Sequence, residues 1–330
     1  MRDLLVMPVL VKEFRAQLRG SRAALLVTMY VGLALIAMRL VYNSVADSAG
    51  SGPPIFNAQI GQSMFIGLSL AVQALTIFLA PATTVNSISS EHERRTFELL
   101  LATPVAATQL LLGKLIAAMA FLLLLLLMVL PLFSIVLLFG GVGPADILRV
   151  VATVLVTAVM GCMLGLLCSI ITRQTYSATL LCYALLVALI GGTLFGANLY
   201  SITHSALPAP ASYVVANPLT AVAAALGRTR PPAVVGAETL QPLVILSLLT
   251  QGTLAQVGSQ RLVLPIYRAT GTLYGAASLL IFWACLHAVQ PRRRWRLSRA
   301  DAVMLSLSLA YGLFIWLSRD WWQAGLSLPK

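Results

Sequence analysis

Charged residues are scarce in this sequence. Only 10% of its 330 residues are charged, whereas 59% are hydrophobic, and the mean hydropathy is +0.91. A soluble domain usually carries about 25% charged residues. So little charge cannot cover a surface that faces water. The composition therefore excludes a soluble enzyme or soluble binding protein and predicts an integral membrane protein.

Residue types that carry out catalysis or bind metal ions are also scarce. The chain has ten acidic residues, three histidines and four cysteines. All four cysteines lie inside apolar runs, and His92, His204 and His287 are far apart, without an H-E-x-x-H motif. No acidic residue falls within a predicted span. We therefore expect no catalytic residues, no metal and no cofactor in this chain, which leaves a membrane-embedded enzyme as the weakest of the alternatives.

The basic residues are dispersed along the chain rather than gathered in a domain. The net charge is +12. A nucleic-acid-binding protein would concentrate such charge on one face, so we expect no nucleic-acid partner. In membrane proteins, Lys and Arg collect in the cytoplasmic loops. The basic run at 292–299 therefore predicts a cytoplasmic segment.

Long apolar runs account for most of the chain. A membrane-spanning helix needs about 20 apolar residues. The runs predict an all-α integral membrane protein with a long outer segment, 200–268, before the last span. We predict six spans, at about 23–42, 63–85, 110–139, 147–171, 177–199 and 269–289.

Three weaker segments leave alternatives open. The pieces 211–226 and 240–256 are interrupted by proline or polar residues and are interpreted as interfacial or re-entrant helices on the outer side. The piece 240–256 could instead span the membrane, which would invert the predicted topology of all later segments. The segment 302–318 is at the lower length limit for a span, and is either a seventh helix or interfacial. We divide the chain into a membrane domain, 1–300, and a C-terminal extension, 301–330.

Residues 3–20 have the pattern of an amphipathic helix. Phe14 belongs to an apolar face, and the basic residues Lys12, Arg15 and Arg19 lie on another face. Such a helix lies in the membrane interface, with its basic face toward anionic headgroups. With the basic run at 292–299, it predicts a cytoplasmic N-terminus and a multi-pass protein of the inner (plasma) membrane.

The stretch 89–114 is a cluster of mixed charge between two apolar runs. If Ser89–Leu101 is helical, Glu91 pairs with Arg95 and Arg94 pairs with Glu98, each four residues apart, for about 0.2–0.5 kcal/mol per pair. Thr103-Pro104 would begin the next helix, and Lys114 would snorkel to the surface. By physics alone, this element is either a stiff lever between two spans or a plain interfacial loop.

The charged stretch also resembles a family signature. Its order is Glu91-x-Glu93-Arg94-x-Thr96-x-Glu98, followed by Leu99-Leu100-Leu101-x-Thr103-Pro104. It is similar to the E-x-E-x-G-T-x-E-x-L-L-x-T-P segment of ABC-2 type permeases, the membrane subunits of type V ABC transporters. Arg95 stands where many members have glycine. Asn217-Pro218-Leu219 in the outer segment also fits the family, and the resemblance covers about 1–300.

The resemblance implies a role for each part of the signature. The segment 87–104 would be a coupling helix seated on an ATP-binding subunit, and 3–20 would be a connecting helix on the inner membrane surface. The implied coupling residues are Glu91, Glu93, Arg94, Arg95, Thr96, Phe97, Glu98, Leu99, Thr103 and Pro104. The implied connecting-helix residues are Lys12, Phe14, Arg15 and Arg19.

The chain contains no phosphate-binding loop. That loop needs G-x-x-x-x-G-K-[ST], but Gly113-Lys114 is preceded by Thr108 in place of the first glycine and followed by Leu115. The family resemblance therefore implies partners: a separate ABC ATP-binding subunit in two copies, which binds ATP and Mg, and a second permease copy or paralogue, among membrane lipids. Spans charged only near their ends suit export of a lipidic or amphiphilic cargo. A non-transporting scaffold remains the alternative.

Overall fold

A computed structural model describes residues 21–49, 55–94, 107–172, 174–204, 210–226, 254–257, 260–289 and 299–324. The predicted interfacial helix at 3–20 lies outside these ranges. In chain order the helices are α1 Ser21–Ala49, α2 Ile55–Val85, α3 Ser89–Glu93, α4 Ala107–Phe139, α5 Pro144–Ile171, α6 Thr175–Thr203, α7 Ala211–Val214, α8 Pro218–Ala225, α9 Ile266–Val289, α10 Arg299–Leu317 and α11 Arg319–Gln323.

Six of these helices are long and apolar enough to cross a membrane. They are α1, α2, α4, α5, α6 and α9. The prediction of an all-α multi-span membrane protein is therefore confirmed. Each helix begins a few residues before the apolar run that predicts it, because the flanking polar residues continue the helix beyond the hydrocarbon region.

Helix α2 lies at the centre of the bundle. Its side chains Phe65, Leu68 and Val72 are fully buried against α1, α4 and α5. The ring of Phe65 meets that of Phe133 on α4 edge-on, with centroids 5.8 Å apart. In contrast, α1 and α6 expose most of their apolar side chains, as helices that face lipid do.

Helix α5 approaches α2 closely through two glycines one turn apart. A Cβ on Gly161 would come within 2.9 Å of Ala80 Cβ, and one on Gly165 within 2.8 Å of the Pro81 carbonyl oxygen. The Thr84 hydroxyl donates to the Cys162 carbonyl at 2.9 Å across the same contact. Small residues four apart let membrane helices approach in this way. Pro81, inside α2, is thus part of the α2–α5 contact.

The segment 211–226 folds back into the bundle. Helix α8 is almost entirely buried, and its N-cap Asn217 donates to Ile190 O and to Thr193 Oγ1 in α6, at 3.1 and 2.9 Å. The Pro218 carbonyl accepts a hydrogen bond from Gln73, near the middle of α2. The segment therefore packs against the long helices, as a re-entrant helix would, and its re-entry from the outer side stays a prediction.

A two-stranded antiparallel hairpin precedes α9. Its strands are β1 Leu254–Val257 and β2 Gln260–Val263, with Leu254 opposite Val263. The prediction of a helix over 240–256 is therefore wrong for its last residues, because they pair with a second strand that the apolar pattern did not indicate. Residues 240–253 lie outside the described ranges.

Helix α10 runs antiparallel along the whole of α9. Asp301, at its start, lies 3.5 Å from His287 near the end of α9, and Tyr311 donates to the Thr272 carbonyl at 3.2 Å. Trp321 of α11 reaches Arg268 in the first turn of α9. The 19 residues of α10 span about 28 Å, close to the ~30 Å of a bilayer core. The segment 302–318 thus forms a helix packed along α9, shorter than the six helices that are long and apolar enough to span, and a seventh crossing stays a prediction.

Candidate functional site

Helix α3 closes one end of the bundle, which we call the α3 end. It follows α2 after a three-residue turn, Asn86–Ile88, and Arg94 is its C-cap. The ends of α5 and α9 and the starts of α4 and α6 lie at the same end. Residues 95–106 are outside the described ranges, so α3 is the visible beginning of the predicted coupling element.

Lys114 holds α3 to the first turns of α4. Its Nζ donates to Glu91 Oε1 and to the Ser87 carbonyl, both at 2.8 Å, and its side chain is only 3% exposed. The prediction that Lys114 snorkels to the surface is wrong, because a carboxylate and a carbonyl satisfy the ammonium inside the protein. The predicted Glu91–Arg95 pair lies partly outside the described residues, and Glu91 contacts α4 instead.

Ser169 holds the start of α3 to the end of α5. Its Oγ accepts the backbone N–H groups of Ile88 and Ser89, at 3.0 and 2.9 Å, and is fully buried. The first N–H groups of a helix have no partner within the helix itself. Ser169 therefore acts as a cap supplied by a neighbouring transmembrane helix.

Glu93 holds the end of α3 to the start of α6. Its Oε1 accepts the Thr175 backbone N–H at 2.7 Å, where Thr175 is the first residue of α6. A carboxylate at a helix N-terminus satisfies an unpaired donor and also meets the positive end of the helix dipole. Arg94 is exposed beside it.

Ile88 adds an apolar anchor. Its side chain is fully buried in a cluster that joins α4, α5, α9 and α10, and which contains Ala107, Leu111, Met163, Leu166, Phe282, Cys285, Leu286, Val289 and Met304. Burying a side chain of this size contributes about 1.5–3 kcal/mol. A tilt of α3 would therefore also displace the side chains of this cluster.

Together these contacts make the α3 end one mechanical unit. Helix α3 is joined covalently to α2, by an ion pair to α4, and by hydrogen bonds to α5 and α6. Removing one partner of a fully buried ion pair costs about 3–5 kcal/mol, and this pair contributes less because Glu91 is 18% exposed. Each ordinary hydrogen bond adds about 0.5–1.5 kcal/mol. These contacts therefore hold α3 to α2, α4, α5 and α6.

Only part of the predicted site can be located. Glu91, Glu93 and Arg94 lie at the α3 end. Outside the described residues lie Arg95, Thr96, Phe97, Glu98, Leu99, Thr103, Pro104, Lys12, Phe14, Arg15 and Arg19. Sequence reasoning missed Ser169 and Thr175, which have no distinguishing pattern. It could have found Lys114, because a lysine followed by a long uncharged run requires a partner.

Within the described ranges, no three His, Cys, Asp or Glu side chains lie close enough together to hold a metal ion. The arrangement at the α3 end consists of one ion pair and several helix caps. Such contacts position helices relative to one another.

Comparison with known proteins agrees with this architecture. No curated protein sequence matches the chain. The family model described as "ABC-2 family transporter protein" matches residues 7–285. This range includes the α3 end and all six long apolar helices, apart from the last turn of α9. The chain therefore belongs to the ABC-2 transporter family.

Proposed function

We propose that this chain is the permease subunit of an ATP-driven exporter in the plasma membrane, with its N-terminus in the cytoplasm. A separate ABC ATP-binding subunit, in two copies, binds ATP and Mg and docks on the α3 end. A second permease copy or a paralogue completes the complex. The exported cargo is lipidic or amphiphilic, since the spans carry charge only near their ends.

One observation carries this proposal: α3 is tied to α4, α5 and α6 by Lys114, Ser169 and Glu93. A purely connecting loop does not need three separate attachments, two of which, to α5 and α6, reach helices that are not its neighbours in sequence. A scaffold would not need them either, because nothing in it moves. A subunit that receives a push from a motor needs such a rigid junction, so that ATP binding favours one of two arrangements of the spans.

Reversing a charge in the coupling element should prevent docking. Glu98→Arg should abolish co-purification of the ATP-binding subunit while the permease still inserts, because an acidic contact becomes repulsive. Asp320→Arg is the matched control: Asp320 is 98% exposed and belongs to α11, at the opposite end. Equal recovery of the ATP-binding subunit with both variants would contradict the docking proposal.

The orientation predicts a labelling pattern. The four native cysteines are buried, so a single introduced cysteine can be followed with a membrane-impermeant maleimide. We expect Ser90→Cys and Ser298→Cys to react from the cytoplasm, and Ser51→Cys and Ala324→Cys from outside, because α10 returns the chain across the bilayer. Cytoplasmic labelling at position 324 would contradict the seventh crossing, and outside labelling at position 90 would contradict the orientation.

A further inference from the structure

A groove lies at the end of the bundle opposite to α3, between α5 and α9, and α11 closes one side of it. Its volume is about 200 Å³. That exceeds the ~150 Å³ of an apolar cavity that takes up benzene. The lining residues are Arg149, Ala152, Thr153, Val156, Thr157, Tyr267, Thr270, Gly271, Tyr274 and Trp321.

The interior of the groove is largely apolar in effect, because four of its five hydroxyl groups donate to backbone carbonyls, and the fifth, of Tyr267, accepts from Arg268. Thr153 and Thr157 donate to carbonyls one turn back in α5, at 2.8 and 3.0 Å. Thr270 donates to the Val215 carbonyl at 2.8 Å, and Tyr274 donates to the Ala216 carbonyl at 2.7 Å. Methyl groups and aromatic rings are left to face an occupant. A hydrocarbon chain fits such a lining, and a polar solute does not.

A positively charged side chain lies beside the groove, at what we call its mouth. Arg268, in the first turn of α9, is half-buried and does not itself line the groove, but its guanidinium lies over two rings that do, 5.1 Å from the ring centre of Trp321 and 5.8 Å from that of Tyr267. Its hydrogen bonds go to the Tyr267 hydroxyl and the Trp321 carbonyl, and no acidic side chain in the described part of the chain pairs with it. Arg149, by contrast, is paired with Asp146 at 2.9 Å.

The mouth and the interior of the groove lie at different depths in the bundle. Both arginines lie in the first turns of their helices, and Thr157 lies eight residues beyond Arg149, about 12 Å further into the bundle. The mouth is charged and lies at the level of the headgroups, and the interior below it is apolar. This arrangement matches an amphiphile whose anionic group stays at the surface.

We propose that this groove binds one anionic phospholipid, with an acyl chain between α5 and α9 and the phosphate on Arg268. The C-terminal extension completes the site, because Trp321 lies beyond the residues matched by the family, 7–285. The inference does not depend on an ATP-binding subunit, since every contact belongs to this chain.

Filling the groove tests the proposal. Gly271 lines the groove and has open space where a Cβ would stand, so Gly271→Leu fills the groove without disturbing the helix. Gly312→Leu on α10 is the matched control, because Gly312 is also helical and also has open space. Native mass spectrometry of the full-length detergent-solubilised chain would count phosphatidylglycerol and phosphatidylcholine molecules with identical acyl chains.

We expect one phosphatidylglycerol retained per chain by the native protein and by Gly312→Leu, and none by Gly271→Leu. Arg268→Gln should weaken phosphatidylglycerol binding about tenfold and leave phosphatidylcholine unchanged, since it removes a charge-assisted contact. Arg319→Gln, an exposed arginine on α11, should have no effect. Equal binding of the two lipids, or equal binding by Gly271→Leu and Gly312→Leu, would overturn the proposal.

Discussion

Lys114→Met should uncouple the α3 end from the bundle. The substitution keeps most of the length of the side chain but removes the 2.8 Å contacts to Glu91 and to the Ser87 carbonyl. Because Glu91 is 18% exposed, the expected cost is below the about 3–5 kcal/mol of a fully buried ion pair. We expect a marked fall in the thermal unfolding midpoint, and a complex whose ATP hydrolysis no longer responds to cargo.

The buried cysteines provide the readout for this prediction. Cys162, Cys168, Cys182 and Cys285 are buried, so a thiol-reactive dye reports unfolding as each becomes accessible. Arg319→Met is the matched control, because the Arg319–Asp320 pair is largely exposed and such pairs contribute little. An unfolding midpoint equal to that of the control would mean that the Lys114 contact does not stabilise the protein.

A double variant separates the ion pair from the lysine itself. The double variant Glu91→Gln/Lys114→Met removes both charges of the pair together. Replacing a buried pair as a whole is often neutral, whereas removing one partner is costly. We therefore expect the double variant to unfold at a higher temperature than Lys114→Met alone. If the losses of unfolding temperature caused by Glu91→Gln alone and by Lys114→Met alone simply add in the double variant, the two residues act independently. Their ion pair is then not the contact that matters.

Gly165→Leu should prevent the bundle from assembling. Even a single Cβ at this position would lie 2.8 Å from the Pro81 carbonyl oxygen and 3.1 Å from Pro81 Cα, and backbone atoms cannot rotate away. Overpacking of a core costs about 1–3 kcal/mol for a small excess of volume, so Gly165→Ala should already destabilise the protein and Gly165→Leu should abolish a monodisperse species.

Size-exclusion chromatography of a fluorescent fusion measures this effect directly. Gly192→Leu is the matched control, because Gly192 lies within the helix α6 and has open space where a Cβ would stand. It should elute as the native protein does. Normal elution of Gly165→Leu would show that α2 and α5 are further apart than the structure places them.

The architecture could be predicted from the sequence because the bilayer constrains it so strongly. A run of apolar residues in lipid has to satisfy its own backbone groups and so forms a helix. For that reason the six spans and the re-entrant possibility for 211–226 follow from length and polarity alone. The strand Leu254–Val257 could not be predicted in this way, because a short semi-apolar piece has no periodicity that distinguishes a strand from a helix.

The contacts at the α3 end depend on tertiary structure and were less predictable. Glu91 and Arg95 are four residues apart, which favours a local pair, yet Glu91 bonds to Lys114, which is 23 residues away. Ser169 is one of many serines in apolar helices, and only the fold brings it to α3. The resemblance predicts where a coupling element lies in the chain, and the structure identifies what holds its described residues, 89–94, to the long helices.

The central claim is that a separate ATP-binding subunit docks on the α3 end. The most direct measurement is the rate at which an impermeant maleimide labels Ser90→Cys in inside-out vesicles, with and without a co-expressed ABC ATP-binding subunit. Ser298→Cys, predicted on the same side, is the control. We expect the subunit to slow labelling at position 90 and to leave position 298 unchanged. Equal labelling of position 90 with and without the subunit would contradict the claim.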